Sequence, residues 1–379
     1  MTSNIAGILT VSLAAVTANY RQLAARAPGS QIAAAVKADA YGLGLAQVAP
    51  ALARAGCSFF YVAHIEEGLS LRQLLPQAEI AVLHGIPAKD VALARQHRLL
   101  PVLCSWPDIL AWQHQAGETS AACPVIIHLD TGMNRLGLSA AETAQLAERS
   151  EVLSGLEVKF WLSHLACADE PQHPFNVEQL AELTRRIKKL PSAPVSFANS
   201  SGIFLGSRYH FEQVRPGCAL YGINPIVPNP NPMQAVARLE APVIQLRTLQ
   251  PGEAVGYSVS WHSKRLGKVA VLPVGYADGF LRSLGNRGQV FFGTRAAPIV
   301  GRVSMDLITV DVTDVPDQDC QPGAYAELFG REQGVDAVAA AAGTIGYEIL
   351  TGLGSRYRRV YEEDDVGHQS VRAARTHPD

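Results

Sequence analysis

A lysine at the end of an apolar run is the strongest candidate for chemistry in this sequence. Ala35–Gly44 reads AVKADAYGLG, so Lys37 closes the strand-like run Ile32–Val36 and Tyr41 stands four residues further on. Partial burial lowers the pKa of a lysine amine and makes it a nucleophile, as a Schiff-base lysine requires. For a strand-end lysine taken alone, a salt-bridged rim residue is the alternative.

Two short loops rich in small residues are candidates for binding a phosphate. Ala198–Gly202 reads ANSSG, and Arg215–Cys218 reads RPGC. Small side chains let backbone N–H groups approach an anion, and β/α barrels commonly bind phosphates in their last two loops. Arg215 adds a guanidinium, which stays protonated and only donates hydrogen bonds. A structural arginine paired with a barrel carboxylate is the alternative for this residue.

Two further strings place polar residues at predicted strand ends. His128–Gly137 reads HLDTGMNRLG and carries Arg135, whose planar fork is suited to a carboxylate. Trp161–Ala166 reads WLSHLA and ends the sixth predicted strand near His164. A histidine on an apolar strand, taken alone, is more often a buried core residue than a functional one.

The elements that position these residues alternate between strand-like and helix-like stretches. Eight such βα units within about 200 residues predict a closed (β/α)8 TIM-type barrel. A doubly wound open sheet is the alternative, because periodicity cannot show closure. The predicted strands are Ile32–Val36, Phe59–Ala63, Ile80–His84, Pro101–Cys104, Val125–Leu129, Val158–Ser163, Val195–Ala198 and Gln213–Val214.

A proline-rich break separates this region from a different one. Asn224–Pro232 reads NPIVPNPNP, which neither a helix nor a central strand tolerates. We therefore predict a barrel domain over residues 1–230 and a mainly β domain over 231–379, with the first ~10 residues free to pack on the second domain. The predicted elements of the second domain are strands Val243–Leu249, Lys268–Pro273, Gln289–Phe292, Ile299–Met305 and Ile308–Val312, and helix Val335–Ala342.

The composition is that of a folded protein without a nucleic-acid or membrane surface. Hydrophobic residues make up 48% and charged residues 17% of the chain, and the net charge is −2. The six cysteines lack metal-ligand spacing, so we expect free thiols, no metal and a reducing cytoplasm. The apolar stretch Ile5–Val16 has no basic residues before it, so we do not expect an export signal.

Taken together, the strings resemble the motifs of a known family. With VGYSVSW at Val255–Trp261 and GRVSMDLITVDVT at Gly301–Thr313, they match in order those of the alanine racemases, barrel-type enzymes that use pyridoxal 5′-phosphate (PLP). The resemblance extends from about Thr10 to Tyr361. It implies that PLP is held covalently on Lys37 and that the enzyme is a homodimer with shared active sites.

The resemblance also implies which residues surround the cofactor. Arg215 would face the pyridine nitrogen of PLP and leave it unprotonated, and His164 would link Arg215 towards Tyr257. The residues implied to hold the cofactor's phosphate are Ser200, Gly217, Cys218, Tyr41 and Tyr347.

Racemisation needs a proton removed from one face of the substrate and another returned to the opposite face. Two bases on opposite faces are the simpler solution. By resemblance these are Lys37, acting on D-alanine, and Tyr257 of the partner subunit, acting on L-alanine. Arg135 and the backbone N–H of Met305 would anchor the substrate carboxylate, and Asp306 would approach the same partner site.

Two positions carry alternative interpretations. Many relatives carry a carbamylated lysine where this chain has His128, and a histidine cannot carry a carbamate in the same way. Arg135 must then be held by another means, such as a neutral imidazole or a bound anion. Tyr276, in the string PVGYADG, is either a gate residue near the entry channel or an ordinary buried tyrosine.

The expected activity is the reversible interconversion of L- and D-alanine, which supplies D-alanine for peptidoglycan or serves its catabolism. A racemase of another or several small amino acids, such as serine, is the main alternative. A barrel-type PLP amino-acid decarboxylase should not present a tyrosine base in a VGYSVSW string. A non-catalytic PLP-binding protein would resemble the first domain only.

Overall fold

Two units make up the chain. One consists of Met1–Val16 with Gln234–Asp379, and the other consists of Thr17–Met233. The computed structural model describes residues 7–117 and 122–363. Strand β1 (Ile8–Ser12) and helix α1 (Leu13–Arg26) open the described part.

Eight parallel strands in the second of these units close into a barrel, in the order in which they follow along the chain. The last pairs with the first through Gln31 opposite Gln213 and Ile32 opposite Val214. This closure confirms the predicted barrel and excludes the open sheet. The strands are β2 (Gln31–Ala35), β3 (Phe59–Val62), β4 (Glu79–Val82), β5 (Leu99–Leu103), β6 (Cys123–His128), β7 (Leu156–Leu162), β8 (Val195–Asn199) and β9 (Gln213–Arg215).

Helical segments connect these strands. They are α2 (Lys37–Tyr41), α3 (Leu45–Arg54), α4 (Ile65–Leu74), α5 (Val91–Gln96), α6 (Trp106–Gly117), α7 (Ala140–Glu148), α8 (Phe175–Ile187) and α9 (Ser200–Phe204). Small side chains on β2 allow large ones on β3 to fill the barrel: Ala33, Phe59 and Tyr61 are fully buried in one cluster. The Tyr61 hydroxyl donates to Gln213 Oε1 at 2.7 Å, so the polar end of this ring is satisfied inside the barrel.

The other unit is mainly β, as predicted. Its six-stranded sheet has the order β16-β15-β18-β10-β1-β19, a second sheet has the order β11-β14-β17, and β12 pairs with β13. The bounds are β10 (Ala237–Pro242), β11 (Gln245–Leu249), β12 (Ala254–Val255), β13 (Trp261–His262), β14 (Gly267–Leu272), β15 (Gln289–Phe292), β16 (Arg295–Pro298), β17 (Ile308–Asp311), β18 (Tyr325–Phe329), α10 (Val335–Ala342), α11 (Gly346–Thr351) and β19 (Arg358–Glu362).

One predicted strand of this unit is wrong. Ile299–Met305 forms a loop with a single bridge at Ile299. The carbonyls of Ser304 and Met305 accept from the N–H groups of Tyr276 and Ala277, each at 3.0 Å, instead of joining a ladder. The alternation of apolar residues here reflects packing of a loop, which a two-residue period cannot distinguish from a strand.

Two kinds of feature are absent from the part of the chain that the structure describes. No helix in 7–117 or 122–363 is long and apolar enough to cross a membrane. Within the same ranges, no three His, Cys, Asp or Glu side chains cluster so as to hold a metal ion.

Candidate active site

Lys37 lies two residues beyond the end of the first barrel strand, at the carboxyl end of the barrel, where β/α barrels carry their active sites. Burial lowers the pKa of the Lys37 amine, and the nearby Arg135 guanidinium lowers it further, while the Glu67 carboxylate opposes both. A lowered pKa leaves a larger fraction of the amine unprotonated and nucleophilic near neutral pH. The charges of Lys37 and Arg135 therefore act on each other in this structure.

The turn after Lys37 is left-handed. Ala38, Asp39, Ala40 and Tyr41 have φ angles between 52° and 57°. Each such residue costs on the order of 1–2 kcal/mol, because the Cβ atom crowds the next carbonyl. The exit of the turn is held by the N–H of Leu45, which donates to Asp39 Oδ1 at 2.7 Å. Strain of this kind persists only where surrounding bonds enforce it, and it is common at functional sites.

Arg215, at the end of β9, lies buried inside the barrel. Its guanidinium donates to Ser196 Oγ at 2.8 Å, to the Ser163 carbonyl at 2.7 Å and to His164 Nδ1 at 3.2 Å. Because a guanidinium only donates, His164 Nδ1 must be the unprotonated ring nitrogen. Burial, followed by Arg215, lowers the pKa of His164 well below its usual range, so the ring is neutral and carries its proton on Nε2.

Ser200, Gly217 and Tyr41 meet in one small region after β8 and β9. The N–H groups of Gly217 and Ala219 donate to Ser200 Oγ at 2.9 and 3.2 Å, which leaves the Ser200 hydroxyl proton for another acceptor. A Cβ atom on residue 217 would lie 2.3 Å from the Tyr41 hydroxyl, so only glycine permits this approach. The buried Cys218 follows at once. Hydroxyl donors and a glycine-lined backbone suit a phosphate.

The loop that carries Arg135 rests on His128. The Leu138 N–H donates to the His128 carbonyl at 2.7 Å, and a Cβ atom on Gly137 would lie 2.9 Å from the imidazole. Asp130 Oδ1 closes the loop from within by accepting the Asn134 N–H at 3.1 Å. Packing and backbone hydrogen bonds therefore hold the Arg135 loop. The His128 imidazole packs against this loop, and a neutral imidazole was one of the two options that the sequence left open.

The buried histidines predict a loss of stability in acid. Burial, followed by Arg215, lowers the pKa of His128 to about 3, against 6.5 for an unperturbed histidine. The unfolded chain therefore binds more protons between these pH values, and the free energy of unfolding falls as pH drops from 6.5 towards 3. We expect about 1.4 kcal/mol per pH unit from His128, with His164 contributing in the same direction. Urea unfolding at several pH values measures this slope.

The control for this prediction is a pair of substitutions. His128→Gln removes one titrating group and should flatten the acid slope, even if it lowers stability at every pH. His262→Gln changes an exposed histidine and should leave the slope as it is. An unchanged slope in His128→Gln would contradict the assignment of a neutral His128.

Two residues near Lys37 were missed by the sequence analysis. Glu67 accepts the Ala38 N–H at 2.7 Å, and His84 packs edge-on against His64 with ring centroids 4.6 Å apart. Burial, then His64 and Lys37, lower the pKa of His84. Their positions in the sequence could have identified them as candidates. His84 is the last residue of one predicted strand, and Glu67 follows the end of another by four residues.

The remaining predicted residues lie in the other unit and are exposed there. Tyr257 is 70% exposed and Met305 is 53% exposed. Tyr347 stands in the first turn of α11, and Asp306 pairs with Arg356 at 2.8 Å. Tyr276 is 44% exposed in this chain, and its role near the entry channel stays a prediction.

The fold and the Lys37 region define a class: a β/α barrel with a partly buried lysine just beyond the end of its first strand. Residues 11–225 match the family described as alanine racemase, N-terminal domain, and residues 236–361 match alanine racemase, C-terminal domain. The chain belongs to the alanine racemase family.

Known alanine racemases are similar to this chain over nearly its full length. An alanine racemase of Acidiphilium cryptum is 48% identical, covering 93% of this chain and 98% of its own. A catabolic alanine racemase of Agrobacterium fabrum is 46% identical, covering 94% and 92%. The crystal structure of alanine racemase from Bartonella henselae with covalently bound pyridoxal phosphate is similar at a TM-score of 0.91 and 44% identity, covering 94% of this chain and 99% of that one.

Proposed function

We propose that this protein interconverts L- and D-alanine with PLP held covalently on Lys37. The observation that carries the proposal is the half-buried Lys37 amine at the carboxyl end of the barrel, in one group of charges with Arg135. The family membership supports both the reaction and the cofactor, because a relative of 44% identity is described with covalently bound pyridoxal phosphate.

The residues present fit this cofactor. The region around Ser200 and Gly217 offers a hydroxyl proton and a side-chain-free approach, which a phosphate requires. We assign the phosphate contacts to this pair together with Cys218, Tyr41 and Tyr347. When bound, PLP draws electrons from the α-carbon of an attached amino acid and so acidifies its α-hydrogen.

Arg215 limits the strength of that effect. Its guanidinium donates to whatever faces it and keeps a ring nitrogen unprotonated, since it has no proton to give up near neutral pH. The three bonds to Ser196, Ser163 and His164 fix the guanidinium in place. We infer that weaker electron withdrawal leaves proton transfer to well-placed bases and suppresses side reactions.

Two bases divide the proton transfer. Lys37 removes the α-hydrogen of D-alanine, and Tyr257 of the partner subunit removes that of L-alanine. Arg135 binds the substrate carboxylate through its planar fork, helped by the backbone N–H of Met305 of the partner subunit. His164, with its proton on Nε2, would donate a hydrogen bond to the tyrosine oxygen and favour its ionised form.

A head-to-tail homodimer completes the site. Exposed apolar side chains support it, since Tyr257, Val259 and Met305 each present more than half of their surface. An exposed apolar patch is characteristic of a protein–protein interface. The two-fold assembly would place each Tyr257 at the barrel of its partner.

We place the enzyme in the cytoplasm, where D-alanine is made for peptidoglycan or consumed in catabolism. Relatives of both kinds support this pair of uses. One is described as a catabolic alanine racemase of Agrobacterium fabrum and another as a biosynthetic alanine racemase from Pseudomonas aeruginosa, at 46% and 35% identity.

A racemase assay on purified protein with added PLP tests the proposal. We expect L-alanine to be converted to an equal mixture of enantiomers, and L-serine to react much more slowly. Equal rates on both substrates would identify a racemase of broader specificity. Release of carbon dioxide without D-alanine would contradict the proposal and point to a decarboxylase.

A further inference from the structure

One carboxylate joins the ends of the first two barrel strands. Glu67 Oε1 accepts the Ala38 N–H at 2.7 Å, directly after Lys37. Its other oxygen, Oε2, accepts the N–H groups of Ala63 and His64 at 2.7 and 3.2 Å, directly after β3. Hydrogen bonds to a charged acceptor are roughly twice as strong as neutral ones, so the Glu67 carboxylate connects the two strand ends strongly at the carboxyl end of the barrel.

The bridge acts on the geometry of Lys37 itself. The Ala38 nitrogen is bonded to the Lys37 carbonyl carbon, so a hydrogen bond from the Ala38 N–H fixes the orientation of the peptide group that follows Lys37. That orientation sets the backbone conformation of Lys37 and therefore the direction in which its side chain leaves the backbone. Ala38 is also the entrance to the left-handed turn, whose exit is held separately by Asp39. Releasing Ala38 would let the turn relax towards right-handed geometry and redirect the amine.

The charge of Glu67 also acts on Lys37. The ionisable groups that face the amine are Glu67 on α4, His84 after β4, Arg135 after β6 and His164 after β7. Burial and Arg135 lower the pKa of Lys37, and Glu67 raises it. The carboxylate thereby keeps the amine from becoming too weak a base.

We propose that Glu67 is a positioning residue for Lys37, which holds the left-handed turn that aims the amine and places negative charge beside it. The proposal rests on the proposed function, because it assigns Glu67 a part in the same reaction. A glutamate at the third helical position commonly caps its own helix. That role accounts for the bond to His64 and leaves the bonds to Ala38 and Ala63 unexplained.

The test compares Glu67→Gln with Glu66→Gln, which makes the same change at the exposed neighbouring residue. Competitive acetylation of the full chain freed of PLP, followed by mass spectrometry across pH, measures the Lys37 pKa. We expect Glu67→Gln to lower it by on the order of one unit, because a nearby opposite charge is lost. The kcat for alanine should fall about tenfold to a hundredfold from misplacement of the amine. Glu66→Gln should change neither quantity.

Glu67→Asp separates position from charge. The shorter side chain keeps the charge but cannot span the bonds to Ala38 and Ala63 together, so kcat should fall while the Lys37 pKa changes less than in Glu67→Gln. If both Glu67 variants match Glu66→Gln in pKa and kcat and lose only stability, Glu67 is a helix cap and the proposal is wrong. The labelling result stands even if the wild type does not racemise alanine, so the two failures are distinguishable.

Discussion

Replacing Lys37 with alanine is expected to lower kcat/KM for alanine by at least about 10⁴-fold. A general base alone contributes about 10²–10⁴-fold, and Lys37 is also the proposed point of covalent attachment. The barrel should survive the change, because Lys37 lies beyond the end of β2 and outside the buried cluster. Racemisation rates and the visible absorbance of bound PLP measure both losses.

The matched control is Lys89→Ala, which removes an exposed lysine from the same unit. It should leave both the rate and the absorbance unchanged. Substantial racemisation by Lys37→Ala with intact folding would contradict the assignment, because another base would then have to act from that face.

Replacing Tyr257 with phenylalanine is expected to lower racemisation by about 10²–10⁴-fold, since one general base is lost. The enantiomers of alanine have equal free energy, so kcat/KM must fall equally in both directions. The direction-specific measurement is exchange of the α-hydrogen in deuterated water. D-Alanine should still exchange through Lys37, whereas L-alanine should not.

Tyr325→Phe removes a hydroxyl from another tyrosine of the same unit, on β18, and serves as the control. Its exchange and racemisation should match the wild type. If Tyr257→Phe exchanged both enantiomers at wild-type rates, a single base would be serving both faces and the two-base account would be wrong.

The barrel was predictable because each βα unit carries its own signal. Eight short apolar runs separated by helical stretches leave few architectures, and the pairing of β9 with β2 decides among them. The strand predicted at Ile299–Met305 was wrong because its hydrogen bonds are not local. There, carbonyls pair with a distant turn at Tyr276 and Ala277, which no local pattern reveals.

The site was predictable only in part. Lys37 and Arg215 stand at the ends of apolar runs, which made them candidates, and the resemblance to the family then supplied their expected roles. The left-handed turn was not predictable, because Ala38 and Ala40 normally avoid that conformation and tertiary bonds impose it. Glu67 escaped notice because a glutamate early in a helix is ordinary, and only its contact with Ala38 sets it apart.

The central claim is that each active site combines Lys37 of one subunit with Tyr257 of the other. Lys37→Ala and Tyr257→Phe chains, carrying different affinity tags, can be produced together and purified as heterodimers. If sites are shared, one site in each heterodimer carries both substitutions and the other carries none, so racemisation should recover to about half of the wild-type rate. A heterodimer as inactive as either parent would contradict the account, since each site would then hold one substitution.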